Sequence, residues 1–182
     1  MLVQDLLAAA IIMGYIYLLL IIWSIIRPEN RFWPPGDSRW KLILAWGVFY
    51  LAAGIALALI VLDWNSWGIP AAIRFGIGIP LALVGGGLVS WGIITLGLEN
   101  THGRRGGFIT GGPYRFTRNP QYLGDIVLLT GLMLIANSVA VIVINLLIIL
   151  SFILMPFAEE IWLEEQYGEA YLQFKARTPR FL

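Results

Sequence analysis

Five apolar stretches alternate with short polar connections along the chain. The first, Leu6 to Ile26, carries no charge; the second runs from about Leu42 to Leu62 and the third from about Phe75 to Leu96. A run of about 20 apolar residues, rising 1.5 Å per residue, crosses a hydrocarbon core of roughly 30 Å, so each predicts a transmembrane helix. The stretch from Tyr122 to Phe157 is too long for one crossing, and Asn137-Ser138 interrupts it. It predicts a hairpin of two helices, a short one over Tyr122 to Ala136 and a longer one over Val139 to Phe157. Beyond it, Leu163, Tyr167, Ala170, Tyr171 and Phe174 fall on one helical stripe with Glu164, Glu165 and Glu169 off it. That pattern predicts an amphipathic terminal helix along or below the membrane surface, stopped by TPRF.

The connections support the same division. RPENRFWPPGDSRWK, after the first span, contains Pro-Pro-Gly and the aromatics Phe32, Trp33 and Trp40, and DWNSWGIPAAIR, after the second, carries Trp64 and Trp67. Aromatic rings of this kind favour headgroup depth. Gly85 to Gly87 mark a place in the third span where helices can approach closely. No basic residue precedes the first span and no small-residue cleavage site follows it, so it is expected to be a retained helix rather than a signal peptide. The expected fold is all-α: a polytopic integral membrane protein of about five helices with a C-terminal helical hairpin, in a single membrane domain, 1–182. Residues 1–98 hold the three N-terminal spans and 99–182 the rest.

Composition narrows the chemistry. The chain is 59% hydrophobic and 13% charged, about half the charged fraction of a soluble domain. It has no cysteine and one histidine, His102, which excludes disulfides, thiolate nucleophiles, cysteine-ligated zinc and clustered-histidine iron sites. Neither a metal nor a nucleic acid is expected as a partner; the lipid bilayer is. Of the twelve basic residues, eleven follow spans one, three or five, and Arg74 alone falls on the other face. The asymmetry expects that face in the cytoplasm, with the N-terminus outside and the C-terminus cytoplasmic.

The polar groups cluster on the basic face. Six glycines lie between Gly97 and Gly112. Glycine admits positive φ and close approach of a ligand to backbone, so this is either a flexible loop or the wall of a binding site. No strand precedes it and the P-loop pattern is absent, so Rossmann and P-loop phosphate sites fit poorly. RFTRNPQYLGD, Arg115 to Asp125, places Pro120 at a helix first turn with Asn119 as its N-cap, and the positive end of such a helix favours an anion. Capping accounts for Asn119, Pro120 and Arg115 but not for Tyr114, Tyr122 and Asp125 beside them. In PFAEEIW, Glu159 and Glu160 end the last apolar run with no basic neighbour in sequence. They are either solvated or engaged by a ligand bearing a cation or a ribose.

GPYRFTRNPQYLG, a helical hairpin, the acidic pair and then YGEAYLQFKARTPRFL, in that order, resemble the C-terminal half of the isoprenylcysteine carboxyl methyltransferase family. That family is related to the membrane phospholipid N-methyltransferases. The resemblance covers roughly Glu99 to Leu182, whereas the first two spans match only as generic hydrophobic helices. It implies an integral-membrane methyltransferase that uses S-adenosyl-L-methionine in a pocket open to the cytoplasm and acts on a lipophilic or small-molecule acceptor. The family's GxY matches Gly112 and Tyr114, and its RHPxYxG matches Arg118, Asn119, Pro120, Tyr122 and Gly124. The glutamate that holds the cofactor falls at Glu159 or Glu160, and earlier cofactor-lining stretches fall near Glu99 and Gly106 to Ile109, including Phe108 and Ile109. Arg118, Asn119 and Glu160 are the implied catalytic set.

Two positions depart from the carboxyl methyltransferases. Asn119 stands where they usually have histidine, although the phospholipid enzymes commonly have Asn-Pro there. Met155 stands where they place an arginine one turn before the acidic pair. A carboxylate acceptor in an apolar site needs a fixed cation, so a neutral or aminated lipophilic acceptor is expected instead of a prenylcysteine carboxylate. Two other classes remain at this level. Membrane sterol reductases share YLGD and the terminal pattern and would use NADPH, drawing Arg104, Arg105 and Arg118 to its phosphates. A non-enzymatic membrane scaffold leaves the polar clustering without a cause.

Overall fold

A computed structural model describes residues 1–181, which contain helices and no strand; Leu182, the last residue of the expected C-terminal region, lies outside the described residues. Helix α1 spans Leu2–Ile26 and α2 spans Arg39–Leu62. The third crossing is divided between α3, Ala71–Gly76, and α4, Gly78–Leu96, and is followed by one turn, α5, Leu98–Thr101. The hairpin is α6, Pro120–Ala136, and α7, Val139–Tyr167, with α8, Glu169–Arg177, after it. Four crossings are long and apolar enough to span a membrane, and α6 is a shorter apolar fifth. The protein is an all-α, multi-pass membrane protein.

Glycine sets the closest packing. Gly78, Gly85 and Gly92 recur every second turn of α4 and face Gly124, Gly131 and Gln121 on α6. A Cβ on Gly124 would lie 2.8 Å from the Val89 amide nitrogen and 2.9 Å from the Gly85 carbonyl oxygen. The two backbones touch directly, which is how helices gain dispersion energy in lipid, where burial of apolar area gives little. Of the three consecutive glycines only Gly85 is used in this way; Gly86 and Gly87 face open space.

The hairpin turn is built by its polar pair. Asn137 takes left-handed φ and ψ of 51° and 48° and ends α6, and the Ser138 hydroxyl accepts the Val141 amide at 3.2 Å to begin α7. Asn137 also accepts from the Ile69 amide at 3.0 Å and donates to Asn65 at 2.7 Å and to the Trp67 carbonyl at 3.0 Å. Arg74, the lone basic residue on this side, is buried: it donates to the Ile135 carbonyl at 2.7 Å and to the Asn65 side chain. It closes the end of α6, and its cost of burial is offset by those bonds.

At the other end α7 does not stop at Phe157, where the apolar run ends. It continues to Tyr167, making 29 residues and about 44 Å of helix. Hydropathy marks where a helix leaves the membrane, not where it ends. The break comes at Gly168, whose φ of 50° suits glycine, and α8 turns back over the loops. The expected stripe is thus shared by two helices. Tyr171 and Phe174 from α8 join Leu163 and Tyr167 from α7 in one cluster with Tyr114, while Ala170 is exposed.

Candidate functional site

Between α1, α2, α4, α6 and α7 lies a cavity of about 500 Å³. Its walls change character along the bundle. Towards the loops they are polar and aromatic, with Tyr114, Arg118, Asn119, Gln121, Tyr122 and Glu159; further in they are apolar, with Met13, Gly14, Ala53, Ala56, Leu128 and Leu147.

The acidic pair divides between two tasks. Glu159 lines the cavity, and its partners are neutral: the Trp33 indole N–H donates to it at 2.8 Å, and the Tyr122 hydroxyl donates to the same oxygen. Trp33 is brought there by Ser24, whose hydroxyl oxygen accepts the amides of Phe32 at 2.9 Å and Trp33 at 3.0 Å. Glu160, one residue on, points away from the cavity into cations. Arg118 reaches it at 2.9 Å, Arg180 binds it through two nitrogens at 2.7 and 3.0 Å, and Lys175 lies 3.5 Å away. Glu160 in turn holds the Arg180 guanidinium above its ordinary pKa.

These bonds fasten the C-terminal segment to the start of α6. The Arg118 amide donates to the Pro179 carbonyl at 2.9 Å, and Thr117 and Asn119 both donate to the Arg180 carbonyl, at 3.0 and 2.9 Å. Asn119 occupies the N-cap position, but its side chain makes no capping bond; its amide nitrogen donates to the tail. Arg118 is nearly satisfied by Glu160 and the Lys175 carbonyl, yet its Nε is buried without a partner; so is the Trp46 indole nitrogen, also on the cavity wall.

The glycine loop is held, not loose. Asn100 donates to the carbonyls of Leu96 and Gly107, both at 3.0 Å, the Tyr167 hydroxyl donates to the Gly106 carbonyl at 3.0 Å, and the Gly36 amide donates to the Gly103 carbonyl at 3.0 Å. Phe108 is thereby stacked on Tyr167, with ring centroids 4.9 Å apart, and edge-on to Phe174. Tyr114 is buried, which raises its pKa well above the ordinary phenol value and keeps the hydroxyl neutral; it accepts from Gln121 at 2.9 Å.

Of the residues singled out by sequence, Phe108, Ile109, Tyr114, Arg118, Asn119, Tyr122 and Glu159 converge on the cavity. Glu99 is exposed, Pro120 starts α6, Gly124 is spent on helix packing, and Gly112, with φ of 55°, lies against Thr95. Glu160 stands behind the wall. Sequence reasoning missed Trp33, Trp46 and Gln121. Trp33 is visible only as an interfacial aromatic, since nothing local ties it to a glutamate 126 positions away. His102 packs edge-on against Trp46 and is not part of the lining.

A family model described as phospholipid methyltransferase matches residues 73–170, more than half of the 182-residue chain. The match begins in α3 and ends in α8, so α1 and α2, with Trp33 and Trp46, add a wall outside the matched region. No curated protein and no solved structure matches the chain.

Proposed function

The chain belongs to the phospholipid methyltransferase family, a family of membrane methyltransferases, and from that premise we propose that it transfers a methyl group from S-adenosylmethionine to a lipophilic acceptor drawn from the bilayer. The observation that carries this reading is Glu159: a buried-side carboxylate facing the cavity, with neutral partners and no cation. A carboxylate in an apolar wall calls for a cation or for further N–H and O–H donors. The ammonium, ribose hydroxyls and sulfonium of the methyl donor supply both.

The remaining groups fit the same ligand. The Arg118 guanidinium, the basic group of the lining, suits the donor's carboxylate, and the aromatic tier of Phe108, Tyr167, Tyr171 and Phe174 suits a planar purine. A volume of about 500 Å³ lies within the range of roughly 300–1,000 Å³ common to small-molecule sites. Bound there, the donor supplies an electrophilic methyl on a sulfonium, open to in-line displacement. The protein's part is placement and exclusion of water. Tyr122 and Trp33 fix Glu159, Gln121 fixes Tyr114, and Phe152, Met155 and Trp162 keep the reacting region dry.

The acceptor's side is the apolar half. Helix α2 packs on α1 and α7 while α4 packs on α6, so α2 and α4 line the cavity from different sides, and in this reading the acceptor enters from the bilayer between them. Arg118 is the sole basic residue of the lining. With Met155 in place of a cation, the site suits a neutral or aminated acceptor. The polar end faces the cytoplasm in this reading. Calorimetric titration of the detergent-purified chain with S-adenosylhomocysteine and, separately, with NADPH tests it. Binding of the first without the second is expected; binding of NADPH alone would overturn it in favour of a reductase.

A further inference from the structure

One carboxylate of the cavity has no task in the donor site. Asp125 lies on α6, a turn beyond Gln121 and Tyr122 and a turn before Leu128 and Leu129, all of which line the cavity. It therefore stands where the polar tier gives way to the apolar one. Among the described residues its side chain makes no hydrogen bond and no ion pair. Arg118, the basic residue of the lining, lies ahead of the start of α6 and is bound to Glu160.

Structure gives Asp125 nothing to do. Aspartate is a poor helix former, and at this depth a carboxylate is costly unless something pairs with it. Gly124, beside it, explains the close approach of α4, and that contact does not involve the Asp125 side chain. The cavity, on the acceptor's side, is where a partner can reach it; N–H and O–H donors would satisfy its oxygens, and a cation would balance its charge as well. A long-chain amine with its head at Asp125 would lay its chain along Leu128, Leu147 and Ala56.

We infer that Asp125 receives the amine of the acceptor and takes its proton, an assignment that rests on the methyltransferase reading above. The acceptor arrives as an ammonium and pairs with the carboxylate. In a medium of low dielectric the proton moves from nitrogen to the carboxylate oxygen, since a neutral pair is cheaper there than two ions. The freed lone pair on nitrogen forms the N–C bond as the methyl's C–S bond breaks, and that bond's electrons stay on sulfur. The product is a methylated ammonium, and Asp125 returns its proton to water once the product has left.

The test uses Asp125→Asn, which keeps the shape and removes the charge, in the full chain in lipid nanodiscs. Three readings are taken: S-adenosylhomocysteine affinity, affinity for hexadecyltrimethylammonium as an unreactive cation, and methyl transfer from radiolabelled donor to hexadecylamine. The variant should bind S-adenosylhomocysteine like the parent, hold the cation about 10-fold more weakly and methylate the amine about 100-fold more slowly. Unchanged amine methylation would overturn the assignment. So would loss of S-adenosylhomocysteine binding in the variant, which would make Asp125 a structural residue, or a parent that methylates hexadecanol and not the amine. Failure of the parent to bind S-adenosylhomocysteine would instead remove the donor reading on which the assignment stands.

Discussion

Helix α6 ends in a polar network on each side of the bundle, and the two are built differently. At its C-terminal end Asn65, Asn137, Ser138, Asp63 and Arg74 satisfy one another and the helix-end carbonyls, and none of them is left with a buried unpaired side-chain atom. At its N-terminal end the bonds are as numerous, but Arg118 keeps a buried, unpaired Nε, Glu159 has only neutral donors, and both residues line the cavity. A closed network fixes a turn. A network left open towards a cavity suits something that binds there, because unpaired polar groups in an apolar setting are costly to keep for packing alone.

In the orientation expected from the basic residues, the network at the N-terminal end of α6 is the inner one and that at its C-terminal end the outer one. The sharpest way to break this comparison is to open the inner network at its structural member. Glu160→Gln leaves Arg118 buried beside Arg180 and Lys175 with no counter-charge. It should cost about 3–5 kcal/mol of stability, read as a lower midpoint of unfolding in detergent. A midpoint like the parent's would show that the tail is not held by this carboxylate. Next in size is the outer network. Asn137→Ala removes three side-chain bonds and places a Cβ-bearing residue in left-handed backbone without the amide that tolerates it. A loss of about 2–3 kcal/mol is expected, with affinity for S-adenosylhomocysteine unchanged in the folded fraction. A selective loss of affinity would make the outer network part of the site after all.

The two ends should also lie on opposite sides of the membrane. Single cysteines at the exposed positions Ser66 and Ala176 should react with an impermeant maleimide from different sides, Ser66 from outside. Reaction of both from one side would refute the orientation.

How much of this was legible in the sequence depends on the range of the signal. The spans, the short first arm of the hairpin and the Asn137-Ser138 turn are local in the chain, and apart from the C-terminal end of α7 the expected segments agree with the helices within a few residues. The division of labour between Glu159 and Glu160 is not local. It is decided by Trp33 and by Arg180, one far upstream and one in the tail, and by which side of α7 each residue faces. Arg74 entered the sequence reading as the exception to a charge rule, and its burial comes from α6, 61 positions away. Gly124 fits the family motif and also the packing of α4, and only the facing Gly85 tells that the second use is met. The end of α7 was misplaced for a different reason: the carboxylates that end the apolar run continue the helix.

The central claim is that the open end of the inner network holds the methyl donor through Glu159. Its most direct test is the dissociation constant of S-adenosylhomocysteine for Glu159→Gln against the parent, by calorimetry on folded protein. The variant keeps an acceptor for Trp33 and Tyr122 but loses the charge. The account predicts a loss of about 1.5–3 kcal/mol, or roughly 10- to 150-fold in affinity, with stability little changed. An affinity equal to the parent's would contradict it, leaving Glu159 as a buried hydrogen-bond acceptor for two aromatic side chains and nothing more.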